Sequence, residues 1–113
     1  LPSLTALNAQ FDLITLAGVW HHIAPNDRCI AASSLSHLSA TGGQLIVSLR
    51  NGPAPQGLPA YPTDADKTSA LFSACGYAET YRAETPSIQP ANHAAGVTWT
   101  WLAFDFLPKG RPT

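Results

Sequence analysis

Phe11-Asp12-Leu13-Ile14-Thr15-Leu16-Ala17-Gly18-Val19, running into Trp20-His21-His22-Ile23, is the stretch that decides the fold. From Phe11 to Val19 it is nearly unbroken apolar sequence and does not alternate. A strand wetted on one face alternates apolar with polar residues. A strand covered on both faces does not, and parallel sheets sandwiched between helices contain such runs. The stretch therefore predicts a buried parallel strand over 11–19.

Downstream, Ile23-Ala24-Pro25-Asn26-Asp27-Arg28 holds the residue types that start helices. Ala31, Leu35 and Leu38 follow at helical spacing, with Ser and His opposite, and Ala40-Thr41-Gly42-Gly43 is expected to end the helix through a left-handed glycine cap. Gln44-Leu45-Ile46-Val47-Ser48-Leu49 reads as a second short strand. Strand, helix, strand at these lengths is a βαβ unit with a right-handed crossover. The segment 51–62 contains four prolines and two glycines and predicts an extended loop. Asp64 is placed to cap a helix over 65–75 that buries Leu71, Phe72 and Cys75 and ends at Gly76. Tyr77 to Glu84 predicts a strand with an exposed face, and 85–96 a second loop, with 85–95 as its body. Val97 to Phe106 is the clearest strand. Val97, Trp99 and Trp101 share one face, Leu102, Phe104 and Phe106 the other, and the two indoles read as core.

Composition narrows the function classes. The chain has 113 residues, 45% of them apolar and only 12% charged, with net charge −1. That length suits one domain. The low charge hints at a surface meant to be covered by further chain or a partner. The six Lys and Arg are scattered, whereas phosphate backbones are gripped by concentrated positive charge, so nucleic acid is not expected as a partner. No apolar stretch is long enough to span a bilayer, and no charged segment leads into an apolar one at the start as in a secretory signal. Cys29 and Cys75 lack CxxC spacing and read as small apolar fillers in a reducing, cytoplasmic compartment. The absence of Met, including at position 1, suggests a piece of a longer product.

Four pieces of sequence, taken in order, resemble the carboxyl-side half of the class I S-adenosylmethionine-dependent methyltransferase domain. Phe11-Asp12-Leu13-Ile14 leading to Val19-Trp20-His21-His22-Ile23 is similar to the family's fourth strand, written as Phe-Asp, an apolar run, then Leu-His-His-Leu. Gly42-Gly43-Gln44-Leu45-Ile46-Val47-Ser48 is similar to the Pro-Gly-Gly turn into the fifth strand, with Thr41 where Pro is usual. The helix ending at Gly76 before a strand, and Gly96-Val97-Thr98-Trp99 opening a long final strand, complete the set. The resemblance implies an α/β fold. Its sheet is a partial Rossmann-like one made of the family's strands 4, 5, 6 and 7, the last antiparallel, with flanking helices. Residues 1–113 then form one incomplete domain.

Leu1-Pro2-Ser3-Leu4 resembles the stretch just after the family's third strand, where an acidic residue that touches the adenine precedes Leu-Pro. The first three strands and the glycine-rich cofactor loop are then absent, and no G-x-G occurs in the chain. That loop normally brings backbone and a helix N-terminus to the cofactor. The resemblance implies S-adenosyl-L-methionine as cofactor and a small-molecule methyl acceptor as partner. It also implies that the chain alone is inactive and self-associates or needs the missing amino-terminal half. The alternative is a truncated, non-catalytic remnant or interaction module pairing through an exposed sheet edge.

In such a sheet the site lies outside the carboxyl ends of the parallel strands, here Leu16 to Trp20 and Leu49 to Asn51. By resemblance, Leu16, Ala17 and Gly18 lie at the cofactor, Ala17 presenting backbone and Gly18 leaving room; small residues packed under a helix would read the same. His21 is a candidate base or acceptor contact. His22 reads as a hydrogen-bonded structural histidine. Neighbours in extended chain point to opposite sides, so the pair is not expected to chelate a metal, and no other ligand spacing completes a site. Arg50 either grips an anionic acceptor or is a solvated loop arginine. His37 and His93 carry no usable signal.

Overall fold

The structure is a computed structural model that describes residues 10–52 and 61–108. The Leu1–Leu4 stretch and most of the proline-rich segment lie outside the described residues. In chain order the elements are β1 (Phe11–Leu16), a 3-10 turn (Trp20–His22), α1 (Pro25–Leu38), β2 (Ser39–Asn51), α2 (Ala65–Ala74), β3 (Tyr77–Pro86), α3 (Pro90–Ala94) and β4 (Thr98–Phe106).

One sheet holds all four strands in the order β1-β2-β4-β3. β1 and β2 are parallel, Leu16 standing opposite Val47. The last strand, β4, inserts antiparallel between β2 and β3. An antiparallel last strand beside a parallel pair is what the resemblance implies.

The register separates two faces. Leu16, Val47 and Leu102 lie in one cross-strand row, and Leu45 and Phe104 in another. That face packs on Ala31 and Leu35 of α1 and Phe72 of α2 to make a single buried cluster. Trp20 is fully buried beside it, its indole 4.9 Å from the Phe72 ring. Burying a side chain of this kind contributes roughly 1.5–3 kcal/mol. The opposite face carries Ile46, Ser48 and Arg50 of β2 and Ala103, Trp101 and Trp99 of β4, each opposite the other in register. The α1 and α2 residues of the core cluster lie on the first face, while His21 of the 3-10 turn meets Trp99 on this one.

Local chemistry explains the helices. Pro25 stands in the first turn of α1, where its missing N–H costs nothing. The Asp64 carboxylate accepts the Lys67 N–H at 2.9 Å and caps α2 as expected. Gly76 follows the end of α2 at φ +98°, a left-handed stop. None of the described helices is long and apolar enough to cross a membrane.

Five readings need correction. α1 ends at Leu38 on Ser39 in extended conformation, so the glycine pair does not cap it. Instead β2 begins at once, and Gly42, at φ +81°, belongs to an irregularity in which the register jumps from Phe11↔Ser39 to Leu13↔Gln44. β1 is not covered on both faces: Phe11 is 46% and Leu13 55% exposed, Leu13 standing opposite Gln44 on the face away from the core cluster. The 85–96 segment is not all loop, since β3 continues to Pro86 and α3 occupies Pro90–Ala94. Cys29 is exposed rather than a core filler. Trp99 and Trp101 are half-buried on the face opposite the core cluster rather than in it.

Candidate functional site

The carboxyl ends of β1, β2 and β3 and the amino end of β4 meet at one edge of the sheet, as the pairing Thr85↔Trp99 and Arg50↔Trp99 requires. A cleft of about 450 Å³ opens there, floored by Ala17, Gly18, Ser48, Trp99 and Trp101 and walled by Thr85 to Gln89. A second cleft of about 360 Å³ lies beside it, lined by His21, Arg50, Asn51, Gly52 and Tyr61 to Thr63. Both fall in the size range of small-molecule sites.

Leu16 is buried at the end of β1, and Ala17 is exposed beyond it. Gly18 adopts φ +70°, a conformation that L side chains avoid. An added Cβ there would meet only the Trp99 ring, at 3.9 Å, so conformation rather than space selects glycine. The Gly18 N–H donates to the buried Ser48 hydroxyl at 2.8 Å, tying the turn after β1 to β2.

His21 and His22 sit in a 3-10 turn, not in extended chain, and their rings approach to 4.1 Å between centroids. Among the described residues no three metal-ligating side chains converge. His21 is 3% exposed, and its Nδ1 has no hydrogen-bond partner. Its carbonyl accepts the Tyr61 N–H at 2.8 Å, and its ring meets the Trp99 indole edge-on at 5.7 Å. Burial, reinforced by His22, Arg50 and Arg28, lowers its pKa to about 4. At neutral pH it is an uncharged imidazole, suited to hydrogen bonding and poorly suited to removing a proton from a weak acid.

Arg50 is in β2 rather than in a loop, and its guanidinium lies over the Trp99 ring at 5.9 Å. Trp99 is therefore shared by both clefts: it floors the first and touches His21 and Arg50 of the second. The sheet edge brings Leu16, Ala17, Gly18, His21 and Arg50 together. Sequence reasoning missed Ser48, Trp99, Trp101 and the Thr85–Gln89 wall. The available signal was alternation, because Leu102, Phe104 and Phe106 already fill one face and leave the indoles to the other.

No family model matches the chain, and no curated protein matches it by sequence. Solved structures do match its fold. The 1,6-didemethyltoxoflavin-N1-methyltransferase of Burkholderia thailandensis, with bound 1,6-didemethyltoxoflavin and S-adenosylhomocysteine, superposes on 92% of this chain and 48% of its own, at TM-score 0.72 and 16% identity. Magnesium protoporphyrin IX methyltransferase of Synechocystis PCC 6803, with bound SAM, matches 90% of this chain and 42% of its own, at TM-score 0.66 and 18% identity. A variant 16S rRNA adenine N1-methyltransferase from Catenulisporales acidiphilia matches over 95% and 55%, at TM-score 0.62 and 16% identity. The chain thus spans about half the length of the structures it matches. Its fold is that of the carboxyl-side half of the class I S-adenosylmethionine-dependent methyltransferase domain.

Proposed function

We propose that this chain forms the acceptor-side half of an S-adenosylmethionine-dependent methyltransferase that acts on a small molecule. The observation that carries the reading is the cleft at the carboxyl edge of a β1-β2-β4-β3 sheet, with Ala17 and Gly18 in its floor. Open α/β sheets bind ligands at that edge. The described residues fit one wall of a cofactor site: small residues at the end of β1 leave backbone accessible, and Ser48 fixes the Gly18 turn. The cofactor, when bound, supplies an electrophilic methyl group. Ala17 and Gly18 form that wall with Leu16 buried behind them, and the glycine-rich loop that completes such sites belongs to an amino-side half outside this chain.

Methyl transfer is a direct displacement, and holding the acceptor in line supplies much of the rate. His21 and Arg50 are the acceptor contacts in this reading, His21 as a neutral hydrogen-bonding imidazole and Arg50 as a cationic grip. The scattered basic residues support a small acceptor rather than a polynucleotide, and the two free thiols suit a reducing compartment such as the cytoplasm. The exposed edge of β1 favours a second reading, a non-catalytic remnant or module that pairs along that edge.

Calorimetric titration with S-adenosylhomocysteine separates the readings. The natural polypeptide at its full length is expected to bind it, and residues 1–113 alone are not. Micromolar affinity of residues 1–113 alone overturns the half-site. No affinity in the full-length polypeptide overturns the enzyme reading and leaves the remnant.

A further inference from the structure

The two indoles are on the wrong face to serve the buried core. Trp99 and Trp101, two residues apart on β4, share the face opposite Leu102 and Phe104. They are half-buried and flank a cleft whose far wall is this chain's own Ser87 to Gln89. That wall is anchored: Ser87 is buried and its N–H donates to the Val97 carbonyl at 3.1 Å. On it stands Ile88, 97% exposed, a large aliphatic side chain turned to solvent at the mouth of an apolar slot. An isoleucine so exposed loses nothing on folding and gains contact only when something fills the slot. A slot faced by two indoles and an aliphatic rim suits a flat ring, which stacks or packs edge-on against aromatic side chains.

No charged side chain is among the described residues that line this cleft; Arg50 of the neighbouring cleft holds its guanidinium 5.9 Å from the centre of the Trp99 ring. The carboxylate of Glu84 is engaged with the Thr98 hydroxyl at 2.7 Å, in the row that faces away from the indoles. We propose that the cleft between Trp99, Trp101 and Ile88 binds the ring of a planar aromatic acid, with the acid group toward Arg50. The proposal rests on the methyltransferase reading for its biological sense, since it names the class of acceptor, but the binding event is measurable without any methyl transfer.

The test titrates the natural polypeptide at its full length with 2-naphthoate and follows indole emission. Decahydro-2-naphthoate serves as the saturated control and 2-naphthamide as the uncharged one. Naphthoate is expected to quench emission saturably, with each control bound about tenfold more weakly. Trp101→Ala and Ile88→Ser are each expected to weaken naphthoate binding severalfold. Ile88 is so exposed that its replacement leaves the fold intact, which keeps the test informative if Trp101→Ala misfolds. Equal affinity for the saturated acid, or naphthoate binding unchanged by Ile88→Ser, overturns the proposal, and so does absence of saturable quenching. A parallel S-adenosylhomocysteine titration keeps the two failures apart. Cofactor binding without naphthoate binding removes the acceptor class and leaves the enzyme reading, and the reverse result removes the enzyme and leaves the slot.

Discussion

His21 concentrates the chemistry of the site in one side chain. Its pKa, lowered from 6.5 to about 4, means that the unfolded chain binds a proton more readily than the folded one. Stability is therefore full above pH 6.5 and falls as the pH drops from 6.5 toward 4, by up to about 3 kcal/mol. Urea midpoints measured across that window are expected to decline in the wild-type chain and to stay flatter in His21→Gln. Glu79, whose carboxyl is held below its ordinary value by Arg82, contributes its own loss only below pH 4.5, so the two effects separate. Gly18 offers a second check. At φ +70°, Gly18→Ala is expected to cost about 1–2 kcal/mol, read as a lowered Tm. The sequence placed His21 and Gly18 near the site but hid their states. Neither an imidazole nitrogen without a partner nor a 3-10 turn leaves a mark in residue spacing.

At the level of elements, the junction of α1 with β2 departs furthest from expectation. Helix-terminating glycines and strand-irregularity glycines look alike in sequence, because both exploit the same conformational freedom. Gly43 settles which applies. A Cβ there would lie 2.9 Å from the Ala40 carbonyl oxygen and 3.1 Å from those of Phe11 and Asp12. Gly43→Ala is accordingly expected to cost about 1–3 kcal/mol and to loosen the β1–β2 ladder. Amide exchange over Leu13 to Leu16 measures it. The α2 cap was fully legible, since Asp64 stands at the one place where its carboxylate meets a free N–H. Asp64→Ala is expected to destabilise the chain by about 1 kcal/mol in urea unfolding. β3 and β4 were legible as strands but their facing was not, because a strand apolar on both sides does not say which side a helix will cover.

For the whole molecule, the strand order was readable only through resemblance. Local pattern predicts strands, whereas the insertion of β4 between β2 and β3 is a matter of long-range pairing. The same topology leaves β1 as an edge, with Phe11 and Leu13 exposed along it, and unprotected edges pair with other chains. Residues 1–113 alone are expected to elute as concentration-dependent oligomers, and Leu13→Lys to shift them toward monomer. A monomeric wild-type chain at all concentrations contradicts this.

β4 has one further consequence, for the order of events during synthesis. The final strand joins β2 on one side and β3 on the other, so it acts as a keystone. While the ribosome still holds residues 98–106, β3 has no strand partner and the parallel pair lacks its antiparallel neighbour. A nascent chain stalled or cut short there has its hydrophobic residues made and nowhere to put them, and chaperones or proteases meet it in that condition.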